Sequence, residues 1–194
     1  QDFLIPIRFA LAIVLALSLP EPALLAAQAP AADGRIEVIV DSSADMRAPI
    51  GDTERVALAR EFLDALHAGL AAGETRAPGL RLYGSASPRT RRDCSDTRLV
   101  VEPGAGAERW AAAVRGIQPH GIAPLATALE AAAADSVSTY VLLTEGGDDC
   151  RVDPCEVWRE AIGGGSNRAA RLHVVALAPS TENLEQLRCL SRAG

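Results

Sequence analysis

Three short apolar runs, Ile36–Val40, Thr139–Thr144 and Leu172–Ala178, alternate along this chain with stretches of helical periodicity. A strand covered on both faces reads as a near-continuous apolar run, whereas a strand with one wet face alternates. Covered strands separated by helices belong to a mainly parallel sheet with right-handed crossovers and helices on both faces. The expected fold class is therefore α/β, a Rossmann-like doubly wound sheet. One antiparallel edge strand is expected as well. Leu80–Gly84 and Thr97–Glu102 read as strands, and the Arg-rich connection Ser85–Asp96 is too short for a crossover helix.

The helices carry their own punctuation. From Thr53 the positions Val56, Ala59, Phe62, Leu63, Leu66 and Leu70 recur at helical spacing, with Asp52 placed to cap the start and Gly73 the end. Glu108–Ile117 is the next helix. Pro124 stands at the first position of Leu125–Ala134. Asp153-Pro154-Cys155-Glu156 opens a helix that runs to Ile162 and stops at Gly163–Gly165, and Thr181–Arg192 is the last. Trp110 and Trp158 fall within these patterns as core residues.

Residues 1–32 are different material. Arg8 precedes the apolar Phe9–Leu19, followed by Pro20, Pro22 and the small-x-small triplet Ala27-Gln28-Ala29. This reads as a secretory signal peptide, with a retained membrane anchor as the alternative. Residues 33–194 form the folded domain, and its expected location is secreted or periplasmic. The 48% hydrophobic and 23% charged residues exclude disorder. The net charge of −6, with all 19 basic residues arginine and no long basic run, argues against nucleic acid as the main partner. Membrane contact is expected only through the N-terminal segment. Cys94, Cys150, Cys155 and Cys189 form an even set in an exported chain, so two disulfides are expected; their spacing is not that of a zinc knuckle.

In an open α/β sheet, ligands bind outside the carboxyl ends of the strands. That edge collects Asp41–Met46, the turn Gln118–Pro124 and the loop Glu145–Asp149. Asp41, Ser43 and Asp45 place alternate oxygen side chains on a tight turn, which is how a hard divalent cation is held. Without an ion, Asp41, Asp45 and Glu145 crowd negative charge, to be relieved by a proton or by Arg47 or Arg151. Catalytic patterns are missing. No Gly-x-Ser-x-Gly elbow surrounds Ser42 or Ser43, no phosphate-cradling Gly-x-Gly-x-x-Gly turn follows the first strand, and His67, His120 and His173 fall on separate elements. His173 is expected to pack against a neighbour. Arg89, Arg91 and Arg92 are expected in a solvated edge loop, and Asp148 and Asp149 are either further ligand groups or a polar turn.

Three motifs then resemble a family. Asp41-x-Ser43-x-Asp45 follows the first strand, Gly121-Ile122-Ala123-Pro124 precedes a helix, and Thr144-Glu145-Gly146 ends the central strand. Their order and placement resemble a von Willebrand factor A (vWA) domain of the exported bacterial type with added cysteines, over most of Ile36–Gly194. The resemblance implies a metal-ion-dependent adhesion site, where Mg²⁺ (or Mn²⁺ or Ca²⁺) is completed by a carboxylate from a protein partner at the carboxyl edge. Position by position, Asp41 and Ser43 are the implied direct ligands, Asp45 a direct or water-bridged one, and Glu145 an outer-shell acceptor. The chain departs from the pattern at Asp45 (Ser in the family), Glu145 (Asp) and Ala123 (Thr), and a methyl group coordinates nothing. The site is degenerate.

The implied function is a protein-binding module rather than an enzyme. A metal-free structural domain of an envelope assembly is the alternative. A hydrolase using Asp41 and Glu145 lacks an accompanying base or electrophile. Loops at the ligand edge favour pairing Cys94 with Cys150, leaving Cys155 with Cys189. A local Cys150–Cys155 bridge is the rival pairing.

Overall fold

The computed structural model describes residues 34–73, 77–135, 137–164 and 170–194. The expected leader at 1–32 and the stop at Gly165 lie outside the described residues. In chain order the elements are β1 (Ile36–Asp41), a small hairpin of β2 (Pro49–Ile50) and β3 (Thr53–Glu54), α1 (Arg55–Ala72), β4 (Gly79–Tyr83), β5 (Thr97–Val101), α2 (Ala107–Arg115), α3 (Leu125–Ala134), β6 (Thr139–Thr144), α4 (Pro154–Gly164), β7 (Arg171–Ala176) and α5 (Thr181–Ala193). Among the described residues no helix is long and apolar enough to cross a membrane.

Five strands form one sheet in the order β5-β4-β1-β6-β7, all neighbours parallel except β5, which runs antiparallel to β4 at the edge. Successive side chains on a strand face opposite sides. In β1, Val38 and Val40 join Leu80, Leu82, Val141 and Leu143 beneath α1 and α2, where Val56, Leu63 and Trp110 complete one core. Ile39 joins Tyr83, Tyr140, Leu142 and Leu172 beneath α3, α4 and α5, where Leu129, Trp158 and Leu187 complete the other. The two tryptophans are core, as their helical spacing implied.

Two local expectations are corrected, and one buried ion pair is added. Asp52 does not cap α1: the chain enters through the β2–β3 hairpin, and the Arg55 amide is satisfied by the Ala48 carbonyl at 3.1 Å. The last strand is not covered on both faces. β7 lies at the sheet edge, where Arg171, His173 and Ala176 are exposed, so His173 is solvated rather than packed. Glu37, inside the first apolar run, is fully buried and accepts from Arg81 Nε at 2.8 Å, while Arg81 also bonds Asp135 at the end of α3. Burial raises the Glu37 carboxyl from an ordinary 4.5 to about 8, outweighing the attraction of Arg81.

Candidate functional site

β1 ends at Asp41, whose side chain shares a face with Ile39 and therefore points beneath α3 into the buried interior. Asp41, Ser42, Ser43 and Thr144 are all fully buried. Both oxygens of the Asp41 carboxyl accept hydrogen bonds, Oδ1 from the Ser43 amide at 2.9 Å and Oδ2 from the Thr144 hydroxyl at 2.9 Å. Thr144 Oγ1 in turn accepts from the Tyr83 hydroxyl at 2.8 Å and from the Gly146 amide at 2.8 Å. Adjacent strands β4, β1 and β6 are thus pinned together at their carboxyl ends by one polar chain. Burial pushes the Asp41 carboxyl up, opposed by the Ser43 amide and the Thr144 hydroxyl. The same burial, reinforced by the Asp41 charge, holds the Tyr83 phenol well above its usual range.

The three expected turns do converge. Ser43 bridges to Gly121; the Ala44 amide donates to the Gly121 carbonyl at 2.9 Å, and the His120 amide to the Ser42 carbonyl at 3.0 Å. Ala123 and Asp149 are bonded twice, Ala123 N–H to the Asp149 carboxylate at 2.9 Å and Asp149 N–H to the Ala123 carbonyl at 2.9 Å. Asp148 accepts from the amides of Ala126, Cys150 and Val152. Asp148 and Asp149 are therefore loop-building groups. Glycine is required where these turns meet. Gly84, at φ +70°, lies against Ser43 and Ile122, leaving no room for a Cβ, and Gly146, at φ +93°, would put one 2.8 Å from Asn183.

Between the turns and the start of α5 lies an open depression of about 340 Å³, lined in part by Asp45, Ala123, Glu145, Glu182 and Asn183. Its negative charge is met by arginines other than those expected. Arg89 Nη1 donates to Asp45 Oδ1 at 2.8 Å. Arg55 stands 3.7 Å from Glu145 and donates to the carbonyls of Asp45 and Ala178, both at 3.0 Å. Arg47 instead donates twice to the Pro119 carbonyl, at 3.0 and 2.7 Å, and among the described residues Arg151 joins no ion pair. Arg55 opens α1 beside the rim, and Arg89 reaches Asp45 across the hairpin loop; neither relation is a local spacing. Arg92, beside it, donates to the Asp149 carbonyl at 3.0 Å, and Arg89, Arg91 and Arg92 are all exposed, as expected of a solvated loop. Burial and the Asp41 charge push the Glu145 carboxyl up, with Arg55 opposing.

Both disulfides pair as topology favoured. Cys94–Cys150 ties the β4–β5 loop to the loop after β6, and Cys155–Cys189 joins α4 to α5.

For a divalent ion, the residues present fit poorly as arranged. Asp41 already has both oxygens engaged, Asp45 faces Arg89, Glu145 faces Arg55 and Ala123 offers no side-chain oxygen. Among the described residues no three Asp, Glu, His or Cys side chains are grouped to hold a metal. Among the described residues the buried Ser42 hydroxyl has no hydrogen-bond partner, while the buried Ser43 hydroxyl lies beside the Asp41 carboxyl and helps to favour its charged form.

The sheet order, the antiparallel edge and the positions of the three motifs make this a vWA-like fold. No family model matches the sequence, and no curated protein matches it significantly. Among solved structures, the chain is similar to a von Willebrand factor type A protein from Catenulispora acidiphila, at 17% identity over 82% of this chain and 42% of that one, with a TM-score of 0.44. It is also similar to three N-terminal domains of the type V pili tip protein Mfa5 from Porphyromonas gingivalis, at 15% identity over 59% and 20% of the two chains, TM-score 0.42. A third is the pilus adhesin SpaC from Lactobacillus rhamnosus GG, at 20% identity over 59% and 15%, TM-score 0.39. The chain spans less than half the length of each.

Proposed function

We propose that this chain is a protein-binding module working outside the cytoplasm, and that it captures a partner at the carboxyl edge of its sheet. One observation carries the reading. Turns from three separated segments are hydrogen-bonded to one another around a concave polar rim, at the edge where open α/β sheets bind ligands. The two disulfides support an oxidising compartment, secreted or periplasmic. Among the described residues His67 stacks on Trp110, and His120 and His173 are exposed.

A photo-cross-linking residue placed at Asp45 tests this. A discrete protein adduct is expected in the native envelope or medium, without one from the same residue at exposed Arg115. Equal labelling from both positions defeats the reading and favours a metal-free structural domain of an envelope assembly.

A second reading is favoured by the buried Ser43 hydroxyl beside Asp41. In it Asp41, Ser43, Asp45 and Glu145 hold a Mg²⁺, Mn²⁺ or Ca²⁺ ion, whose role would be to present positive charge to a partner carboxylate. A ligand of the native state raises the unfolding midpoint. The expected result is a rise with one of these ions that disappears in Asp41→Ala; no rise at millimolar ion, or one that survives the substitution, discards this reading.

A further inference from the structure

Away from the rim, α4 and α5 pack side by side and are cross-linked by Cys155–Cys189, with Cα atoms 6.0 Å apart. Their outer surfaces enclose a groove of about 310 Å³ lined by Arg159, Glu185, Arg188, Cys189 and Arg192. All three arginines are exposed, and among the described residues no carboxylate pairs with any of them. Arg188 and Arg192 are four residues apart and so share one face of α5, while Arg159 reaches the same groove from α4. The helix dipole accounts for Arg192 in the last turn of α5, but not for Arg159 in the middle of α4. Three guanidinium groups against one carboxylate make a basic groove on a chain whose net charge is −6.

We propose that this groove docks an acidic segment of a partner protein, with Arg159, Arg188 and Arg192 receiving its Asp or Glu side chains. The guanidinium fork matches a carboxylate in two parallel hydrogen bonds. The disulfide supports it by fixing the helices that carry the two sides of the groove. A nucleic acid is the poorer occupant: the groove has no aromatic side chain on which a base could stack, and the net negative chain repels a long polyanion. The groove is distinct from the rim, which shares none of its lining residues and draws on Glu182, Asn183 and Gln186 of α5.

The probe is a fluorescein-labelled hexaglutamate peptide, followed by anisotropy on the oxidised chain at low ionic strength. Saturable binding is expected, weakened by added salt and weakened at least about tenfold in R159E/R188E. The control R109E/R115E changes charge equally on α2 and is expected to bind as the parent does. The milder R188Q, expected to weaken binding in the same direction, covers the case in which the double variant does not fold. Equal loss in groove and control variants, no saturable binding, or tighter binding of an oligothymidylate at the same arginines overturns the proposal. So does a concentration-dependent dimer that R159E/R188E abolishes, because the groove would then join copies of this chain. None of these outcomes bears on cross-linking at Asp45.

Discussion

Thr144 donates its hydroxyl proton to Asp41 across 2.9 Å in a region where both residues are fully buried. That bond, with the Tyr83 hydroxyl and Gly146 amide feeding the same oxygen, holds the floor of the rim. Thr144→Val preserves shape but strands three buried polar partners. A loss of about 2–4 kcal/mol is expected, against about 1 kcal/mol for Tyr83→Phe. Denaturant unfolding of both variants checks the order; a Thr144→Val cost no larger than that of Tyr83→Phe contradicts the arrangement.

Glu37 contributes one part of the pH dependence of stability. Its carboxyl keeps a proton in the folded chain up to about pH 8, whereas the unfolded chain releases it near 4.5. Between those values the folded state binds more protons, so stability is full below 4.5 and declines as pH rises toward about 8. Glu37→Gln, which mimics the protonated form, is expected to flatten that decline. Urea midpoints across the range measure it, and an unchanged slope in the variant refutes the assignment.

The Arg89–Asp45 pair is a different case, since 53% and 41% of the two side chains are exposed. Water screens such a pair, so Arg89→Ala is expected to change stability by less than about 1 kcal/mol. If the ion reading of the rim holds, the same variant binds divalent metal more tightly, because a competing charge has gone. Metal titration followed by thermal unfolding reads both effects together.

Gly84→Ala places a methyl group against the backbone of Ile122 and Ser43 at a left-handed position. A cost of about 2 kcal/mol or more is expected, since neither neighbour is a flexible side-chain tip. Gly69→Ala, where a Cβ meets nothing, is expected to stabilise α1 slightly. A Gly84→Ala chain as stable as the parent rules out the tight seam between the turns.

Much of this architecture is written in local pattern. Apolar runs marked β1 and β6, the short Ser85–Asp96 connection marked the antiparallel edge, and Asp41 stood at a strand end. Placing Cys94 and Cys150 on the same edge favoured the pairing that the structure shows. What escaped is non-local. Glu37 sits in an apolar run, and only the partner strand reveals that Arg81 meets it. An apolar run at residues 172–178 does not say that its strand stands last in the sheet order. Arg55 and Arg89 are 34 positions apart in number, yet both serve the rim because the hairpin loop and the start of α1 meet there. The Ala123, Asp45 and Glu145 departures were legible as substitutions, while their consequence, guanidinium groups beside the acidic side chains, was not.

The Cys94–Cys150 bond has a practical corollary. It fastens an outer hairpin to the loop behind the middle of the sheet, and Arg89, Arg92, Asp148 and Asp149 all ride on those two segments. A thiol-reducing cytosol would leave the halves untethered, so material matured there would offer partners a slack mouth in place of a set one. Any binding assay on this chain begins with the compartment in which it was made.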